Sequence, residues 1–374
     1  MAADTIISSS PWAAVPFHFW SVVFFMFGCV VGSFLNVCIH RMPRELSVVS
    51  PPSHCPHCQY AIPFYLNIPL FTWVALRGRC KNCRAPISFR YFLVELLTGV
   101  AFLSAWLRFG NPGDPLPSLP LALVYSLFLA GLIVATFIDF EHFIIPDEIT
   151  MGGAAVGFAL SLFFPALHGT AATGESLVRS ALGILLGGGM VYAILRLGKL
   201  LFGRQRLKLD PGTKIYFGET ALILGDKEIP WEEIFYRKTD QIRLEARRVE
   251  LIDRGYTKAS IRLSPLMLEI DDEQIDPVGV GHLEAEGDDI TLPREAMGLG
   301  DVKFMAGIGA FVGWQGALFS LMVSALIGAI LGVVLIALGR RDWSSRMPYG
   351  PYIALAAVIW LFAGPQITAA IFAQ

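Results

Sequence analysis

Eight apolar runs constrain this chain of 374 residues more than any other feature of its sequence. A helix needs about 20 apolar residues to cross the roughly 30 Å hydrocarbon core of a bilayer, and most of the runs approach or reach that length. Hydrophobic residues make up 54% of the chain and charged residues 16%, which excludes a soluble globular protein of this size. The runs cover residues 17–39, 91–108, 119–138, 149–168, 177–197, 302–314, 316–338 and 350–372. We therefore predict a polytopic α-helical membrane protein with about eight transmembrane helices.

The basic residues between the runs indicate on which side of the membrane each connection lies. Residues 39–90 contain seven Lys or Arg residues, whereas residues 1–38, 109–118 and 169–176 contain none. Basic connections stay on the cytoplasmic side, so both chain termini are predicted to lie outside. The cytoplasmic connections are then 39–90, 198–301 and 339–349. The run 302–314 is short and interrupted by glycines. We still count it as a span, because otherwise the later connections would not alternate between the two sides of the membrane as the basic residues indicate.

Two CxxC pairs lie in the first cytoplasmic connection, with 21 residues between them. They are Cys55 with Cys58, and Cys80 with Cys83. Two such knuckles supply four thiolates for tetrahedral zinc coordination, and His54 and His57 compete as ligands. A pair of disulfides is the alternative, which a reducing cytosol disfavours. We predict a zinc-binding domain over residues 40–90, where a structural metal compensates for a small core.

The second long cytoplasmic connection, residues 198–297, has a different character. Short β-prone stretches are separated by Gly-Glu and Gly-Asp turn signals, and QIRLEARRVELI shows partial alternation of apolar and polar residues. We predict a strand-rich cytoplasmic insert. No motif in it indicates chemistry, and its acidic stretch EIDDEQID is expected to form solvated surface.

Acidic residues at the cytoplasmic ends of two runs are candidates for function, because charge is costly in lipid. Asp139, Glu141 and Asp147 lie in IDFEHFIIPDEIT after the third run, and Asp301 lies in GLGD before the sixth. Two carboxyl groups that meet at the edge of a low-dielectric region share one proton. Such a pair activates water against a peptide carbonyl, as in aspartic proteases. The sequence therefore indicates peptide hydrolysis at the cytoplasmic face.

The residues around Asp301 support this hypothesis. Gly298 and Gly300 have no side chains, so an extended substrate or another backbone can approach Asp301 closely. Lys303 either tunes the acidic pair or extends to the lipid interface. Asp147 follows a proline and is alternatively the N-cap of the fourth predicted helix.

Six motifs occur in order along the chain. They are GSFLNVCIHRMP at 32–43, IPLFTWVALRGRCKNC at 68–83, ISFRYFLVELLTG at 87–99, IDFEHFIIPDEIT at 138–150, GLGDVKFMAGIGAFVGW at 298–314 and MPYGPYIAL at 347–355. Together they resemble the bacterial prepilin peptidases, the type IV leader peptidase family of GxGD intramembrane aspartyl proteases. The resemblance covers most of the chain, although residues 200–295 form a longer connection than the simplest members have.

The resemblance implies an activity, partners and site residues. It implies removal of the leader from prepilins or pseudopilins at the cytoplasmic face of the bacterial inner membrane, with substrates that have a basic leader and a hydrophobic N-terminal helix. It implies that Asp139 and Asp301 are catalytic, with Glu141 and Asp147 as rivals for the first position. Many members also methylate the new N-terminus with S-adenosylmethionine, although this chain shows no glycine-rich nucleotide fingerprint. The expected partners are prepilins and membrane lipid, and no nucleic acid.

Two functions of other classes stay open at this point. Membrane carboxylates also occur in ion-coupled transporters, and a zinc-knuckle protein without catalysis could serve as a scaffold in pilus assembly.

The expected divisions are residues 1–39 as the first helix, 40–90 as the zinc-binding domain, 91–197 as helices two to five with the first catalytic aspartate, 198–297 as the insert, and 298–374 as the GxGD motif with the last three helices.

Overall fold

The computed structural model describes residues 15–210, 212–225, 227–235, 240–277, 280, 282–293, 298–339 and 347–372. The chain divides into two compact units, Met1–Val191 with Leu299–Gln374, and Tyr192–Gly298. The first unit is a helical bundle and the second contains a β-sheet. The outermost residues 1–14 and 373–374, whose external position the charge pattern predicts, lie outside the described residues.

The long helices of the described residues follow the predicted apolar runs, with two runs in α8, whereas the short helices α2 and α7 lie outside them. They are α1 (Phe17–Arg41), α2 (Phe71–Ala75), α3 (Phe89–Phe109), α4 (Pro115–His142), α5 (Asp147–Phe163), α6 (Thr173–Phe202), α7 (Trp231–Ile234), α8 (Leu299–Ala337) and α9 (Gly350–Phe372). Within the described residues, six segments are long and apolar enough to cross a membrane, in α1, α3, α4, α6, α8 and α9. This confirms a multi-pass membrane protein. Helix α5 has 17 residues and also coincides with a predicted run.

Helix α8 is interrupted where two predicted runs meet. Gly313 has φ 70° and ψ −179°, a conformation that is accessible almost only to glycine. Near this interruption, the carbonyl of Ala310 is hydrogen-bonded to side chains outside its own helix. It accepts hydrogen bonds from Nε2 of His168 at 3.2 Å and from Oγ of Ser180 at 3.0 Å. These bonds stabilise the broken helix, because an unsatisfied carbonyl in lipid costs several kcal/mol.

Glycines bring the backbones of α6 and α8 into direct contact. A Cβ atom on Gly183 would lie 2.0 Å from the carbonyl oxygen of Gly309, and one on Gly309 would lie 2.1 Å from that of Gly183. One turn further along α6, a Cβ on Gly187 would lie 2.7 Å from the oxygen of Met305. Small residues at this spacing are a common way for membrane helices to pack. The same helix α8 contacts α5 at Gly307, where a Cβ would lie 2.9 Å from the oxygen of Thr150.

Helices α1 and α3 form a second close pair. A Cβ on Gly32 would lie 2.7 Å from Cα of Glu95, and one on Gly99 would lie 2.5 Å from Sγ of Cys29. Cys29 is a free, buried thiol that fills space between the two helices. Farther along the pair, Trp106 is fully buried and its ring stacks on Phe24 at a centroid distance of 4.9 Å.

The second unit is an antiparallel sheet of nine strands among the described residues. The strands are β1 (Arg204–Lys208), β2 (Lys214–Phe217), β3 (Ala221–Leu224), β4 (Lys227–Pro230), β5 (Ile242–Leu251), β6 (Gly255–Ser264), β7 (Met267–Ile270), β8 (Glu273–Ile275) and β9 (Leu283–Pro293). Their order is β4-β3-β2-β9-β5-β6-β7-β8, and β1 also pairs with β9. The sheet confirms the strand-rich insert that the sequence predicts.

Alternation along the long strands builds the core of this sheet. On β5, Ile242, Leu244 and Ala246 are buried while Arg243 and Glu245 between them are exposed. The acidic stretch EIDDEQID forms the β7–β8 hairpin, and two of its carboxylates make polar contacts with neighbouring strands or turns. Asp271 accepts a hydrogen bond from the amide of Ser260 at 2.8 Å, and Glu273 pairs with Arg254 at 2.5 Å.

The contact between α6 and α8 generates a stability prediction. In Gly183→Ala, the new Cβ collides with the backbone of Gly309 and must push the two helices apart. Overpacking of this kind costs about 1–3 kcal/mol, so the midpoint of thermal unfolding in detergent should fall. Gly189→Ala, on the same helix, is the matched control, because a Cβ there meets nothing within 4 Å. Equal midpoints for the two variants would contradict the packing described here.

Candidate active site

The two CxxC segments fold into two knuckles with the same backbone pattern. In the first, the amide of Cys55 donates to the oxygen of Tyr60 at 3.0 Å, and Gln59 has a positive φ of 56°. In the second, the amide of Cys80 donates to the oxygen of Ala85 at 2.9 Å, and Arg84 has a φ of 62°. Each knuckle thus turns its two sulfur atoms to one side.

The four thiols form one cluster. Sγ of Cys55 lies 3.8 Å from Sγ of Cys83, and Sγ of Cys58 lies 4.0 Å from Sγ of Cys80. All four sulfur atoms lie within 4.8 Å of one another, which could hold a metal ion. The cysteines are free, so the predicted alternative of two disulfides is not what the structure contains. Among the described residues, no other group of His, Cys, Asp and Glu side chains forms such a cluster.

Neighbouring groups favour the thiolate form that metals bind at two of the four cysteines, whereas burial and the bonds to the other thiols raise the pKa of Cys83 to about 11. The side-chain amide of Asn82 donates to Sγ of Cys58 at 3.6 Å, and this bond is the largest of several that together lower the pKa of Cys58 to about 6. Backbone amides of Cys83 and Asn82 lower the pKa of Cys80 in the same way. His54 and His57 do not join the cluster, and Nδ1 of His54 instead lies 3.0 Å from the oxygen of Pro52.

A buried acid on α3 binds the segment between the two CxxC pairs. Oε2 of Glu95, on α3, accepts a hydrogen bond of 2.7 Å from the amide of Leu70, which precedes the short helix α2. Leu70 has a positive φ of 60°, which costs energy for a residue with a side chain. The sequence analysis assigned no role to Glu95. Its position in ISFRYFLVELLTG was the available signal, since an acid inside an apolar run needs a partner.

Asp139 lies in the last turn of α4 and is 5% exposed. Its Oδ2 atom accepts a hydrogen bond of 2.8 Å from the amide of Gly350, the first residue of α9. A Cβ on Gly350 would lie 2.8 Å from this oxygen atom, so glycine is needed for the contact. The chain leaves α4 through Phe143, whose left-handed φ of 55° ends the helix directly beyond this site.

Asp301 lies in the first turn of α8 and is 9% exposed. It lies close enough to Tyr349 to act on its phenol electrostatically. Burial raises the pKa of Tyr349, and the charge of Asp301 contributes to this rise. The hydroxyl groups of Tyr349 and Ser324 are hydrogen-bonded at 3.0 Å. The two aspartates therefore interact with adjacent residues. Asp139 accepts a hydrogen bond from Gly350, and Asp301 is within electrostatic reach of Tyr349.

The glycines of the GxGD motif differ from Gly350. A Cβ on Gly300 would lie 3.6 Å from the nearest atoms, those of Ile145, which is an ordinary contact. Gly298 is exposed. The structure shows a backbone close to a buried carboxylate at Gly350, and the approach of an extended substrate or another backbone to Asp301 stays a prediction. The motif MPYGPYIAL contains Gly350, but nothing in the sequence relates it to Asp139.

Lys303 forms an ion pair with Asp147. Its Nζ atom lies 2.7 and 2.8 Å from the two carboxylate oxygens. Asp147 is the first residue of α5, and the N-cap is Pro146, which makes no side-chain capping bond. The alternative reading of Asp147 as an N-cap is therefore wrong, because its carboxylate turns to the cation on α8. Tuning of the acidic pair and extension to the lipid interface both stay predictions for Lys303, to which the structure adds Asp147 as an ionic partner.

Glu141 also has a cationic partner. It forms an ion pair with Arg90 at the start of α3. Both rivals for the first catalytic position, Glu141 and Asp147, thus carry a positive partner, and their side chains are 38% and 64% exposed. The structure separates them from the buried Asp139.

Comparisons with known proteins find two family models and several relatives that match this chain. Residues 26–109 match a family model described as the bacterial peptidase A24 N-terminal domain, and residues 283–333 match that of the type IV leader peptidase family. The chain is 28% identical to a prepilin leader peptidase/N-methyltransferase of Aeromonas hydrophila, over 95% of this chain and 94% of that protein.

Two further relatives match parts of the chain. One is a prepilin leader peptidase/N-methyltransferase of Myxococcus xanthus, which is 39% identical over 50% of this chain and 58% of that protein. The other is a type 4 prepilin-like proteins leader peptide-processing enzyme of Escherichia coli, which is 42% identical over 33% of this chain and 51% of that protein. No solved structure matches the chain.

Proposed function

The chain belongs to the type IV leader peptidase family, and we propose on this basis that it is an intramembrane aspartyl endopeptidase that removes the leader of type IV prepilins or pseudopilins. Relatives with the prepilin peptidase name extend along almost the whole chain. The observation that carries the proposal is the contrast among its acids. Asp139 and Asp301 are buried and interact with the neighbouring residues Gly350 and Tyr349. Glu141 and Asp147 are exposed and form ion pairs with cations.

The proposed reaction uses the two buried carboxyl groups in turn. One is protonated and the other ionised, because two charges are costly at the edge of lipid. The ionised group takes a proton from water while the oxygen of that water bonds to the peptide carbon, and the protonated group donates to the carbonyl oxygen. The C–N bond then breaks as the first group gives the nitrogen the proton it took from water and a hydroxyl group of the intermediate returns a proton to the second group, which yields a new carboxyl group and a new amino terminus.

Gly350 and Tyr349 are proposed to hold the pair in position. The Gly350 amide fixes Oδ2 of Asp139 and leaves the other oxygen atom for water or substrate. Because Gly350 begins α9, this bond also links the ends of α4 and α9. The hydroxyl group of Tyr349 is hydrogen-bonded to Ser324 and lies within electrostatic reach of Asp301, so it can respond to a change of charge there.

We assign zinc to the cysteine cluster. A tetrahedral ion with Zn–S bonds of about 2.3 Å places neighbouring sulfur atoms roughly 3.8 Å apart. The paired sulfur atoms lie 3.8 and 4.0 Å apart, which fits. The ion would be structural: it would be held by Cys55, Cys58, Cys80 and Cys83 and would fix the two knuckles to each other.

The second activity is N-methylation of the new amino terminus with S-adenosylmethionine. The relatives from Aeromonas hydrophila and Myxococcus xanthus carry this activity in their names. The proposal for this chain rests on those names, because its sequence contains no glycine-rich fingerprint for the cofactor.

We further propose eight membrane crossings in the bacterial inner membrane, with both termini outside. The six long helices give six crossings. Helix α5 and the interruption of α8 at Gly313 supply two more. This topology places Asp139 and Asp301 at the cytoplasmic face, where the basic leader of a substrate would arrive while its hydrophobic helix stays in the lipid.

Loss of either buried aspartate tests the activity. With purified protein and a prepilin in detergent, Asp139→Asn and Asp301→Asn should each lower leader removal by at least roughly 10²-fold, because each removes one half of the acid–base pair. Mass spectrometry of the prepilin measures both leader loss and methyl incorporation. Glu141→Gln and Asp147→Asn are the matched controls and should retain cleavage. Full cleavage by either Asp139→Asn or Asp301→Asn would exclude the pair, whereas a wild-type protein that does not cleave prepilin would favour the transporter or scaffold functions.

A second prediction concerns the backbone contact to Asp139. Gly350→Ala places a methyl group 2.8 Å from Oδ2 of Asp139 and must displace the carboxylate. A displacement of about 1 Å can lower turnover by roughly 10²-fold, so kcat should fall while thermal stability changes little. Gly131→Ala on α4, where a Cβ meets nothing within 4 Å, is the control and should behave as wild type. Unchanged kcat in Gly350→Ala would contradict the positioning role.

The metal proposal is tested by elemental analysis. Protein purified without chelators should contain about one zinc ion per chain. The double variant Cys58→Ser/Cys83→Ser removes one ligand from each knuckle and should lose the metal and part of the thermal stability. His57→Ala, inside the first knuckle but outside the sulfur cluster, should keep the zinc. Zinc-free wild-type protein, or full occupancy in the double variant, would exclude the site.

A further inference from the structure

The segment that joins the two CxxC pairs is more apolar than a connection in water is expected to be. Residues 60–76, with the sequence YAIPFYLNIPLFTWVAL, contain no charged residue. Large side chains of this connecting segment are nevertheless 48% to 89% exposed: Phe64, Tyr65, Ile68, Phe71 and Val74. Exposed apolar side chains that occur together in this way mark a surface that another protein or a membrane covers.

Contacts to α3 fix the level of the connecting segment. The amide of Leu70 donates a hydrogen bond of 2.7 Å to Oε2 of Glu95. The ring of Trp73 packs on Phe89 and Phe92, with centroid distances of 5.6 and 5.3 Å. The segment therefore lies along the first two turns of α3.

Those two turns belong to the part of α3 that crosses the membrane. Helix α3 has 21 residues and is about 31 Å long, so its whole length is needed to cross a hydrocarbon core of about 30 Å. Glu95 follows Phe89, the first residue of the helix, by about 9 Å along the axis. Its side chain points back toward the start of the helix, as helical side chains do. The bond to Leu70 thus holds the segment near the boundary between acyl chains and headgroups rather than in the water.

Basic residues follow the connecting segment directly. Residues 77–84, RGRCKNCR, contain no acid and four exposed cations: Arg77, Arg79, Lys81 and Arg84. Nζ of Lys81 lies 5.5 Å from the centre of the Tyr65 ring, so cations lie beside the exposed apolar side chains. An apolar surface edged by cations matches a membrane, where acyl chains lie next to anionic phosphates. A second copy of this chain on the same surface would instead bring like charges together.

We propose that the connecting segment lies in the membrane interface, with Phe64, Phe71 and Val74 among the acyl chains and the cations that follow them at the lipid phosphates. Phe71 and Val74 are three residues apart in α2 and so share one face of that short helix. Tyr65 and Trp73 are of the residue types that membrane interfaces favour. The inference depends only on α3 crossing the membrane and is independent of the proposed reaction.

This position has a consequence for the two knuckles. The segment begins just after Cys58 and ends just before Cys80, so its immersion holds both knuckles at the lipid surface. Residues 40–90 then lie partly in the membrane, and not wholly in the cytoplasm as the charge pattern predicts. The position also explains why an acid lies in the apolar run of α3, because the amide of Leu70, removed from water, needs an acceptor such as Glu95.

Depth-dependent fluorescence quenching in nanodiscs tests the position. A fluorescent amino acid is placed at position 64 or 71 of the full chain, and the lipids carry a quencher either near the headgroup or near the end of the acyl chain. We expect the shallow quencher to reduce the fluorescence at least twofold more at both positions than at position 252. Ile252, in the β5–β6 turn, is the matched control, because it is a comparably exposed apolar residue. At position 100, in the middle of α3, the deep quencher should be the stronger one.

Nanodiscs that hold one copy of the chain and no other protein separate lipid from the other possible covers. If a second copy or a partner protein covers the segment instead, positions 64 and 71 will be in water in these nanodiscs. Shallow quenching at 64 and 71 that does not exceed quenching at 252 would therefore overturn the proposal.

A charge placed on the segment gives a second measurement. Phe64→Asp changes a side chain that is 89% exposed, so the packing of the protein loses little. A carboxylate is costly among acyl chains, so shallow quenching at position 71 should fall at least twofold. Ile252→Asp is the matched control and should leave quenching at position 71 unchanged. Equal quenching at position 71 in the two variants would contradict immersion of the segment.

Discussion

The bundle depends on one constraint, which is that polar groups out of reach of water must be satisfied inside the protein. Two contacts show how it is met. The carbonyl of Ala310, freed by the interruption at Gly313, accepts hydrogen bonds from His168 and Ser180. The carboxylate of Asp139 accepts one from the amide of Gly350. In both cases a backbone group at a helix end or interruption is matched with a partner far along the chain, so the helix ends are fixed in space by their polar groups.

Glycines make this arrangement possible by letting backbones meet. The contact of Gly183 with Gly309 fixes α8 against α6, and the contact of Gly350 with Asp139 fixes α9 against α4. Because Asp301 begins α8, the first contact also limits where its carboxylate can lie. The positions of both aspartates thus follow from backbone packing, which is stiffer than side-chain packing and suits a site in which small displacements change the rate.

The chemistry-bearing residues could be found from the sequence, and their partners could not. The CxxC spacing indicated the sulfur cluster, and acids beside apolar runs indicated Asp139 and Asp301, because both signals are local. Gly350 is 211 residues from Asp139 in sequence, so no periodicity or spacing relates them. The reading of Asp147 as an N-cap was wrong for the same reason. The proline before it was visible, whereas the competing cation, Lys303 on α8, becomes its neighbour only in the fold.

The partners of the acids also distinguish Asp139, which we propose to be catalytic, from Glu141 and Asp147. Sequence alone left Glu141 and Asp147 as rivals, since all carboxylates look alike beside an apolar run. Glu141 and Asp147 are exposed, and each is held in an ion pair, with Arg90 and with Lys303. Asp139 is buried and accepts a bond from the neutral amide of Gly350, which orients its carboxylate. A general acid–base needs such a fixed position, within reach of the atom whose proton it moves.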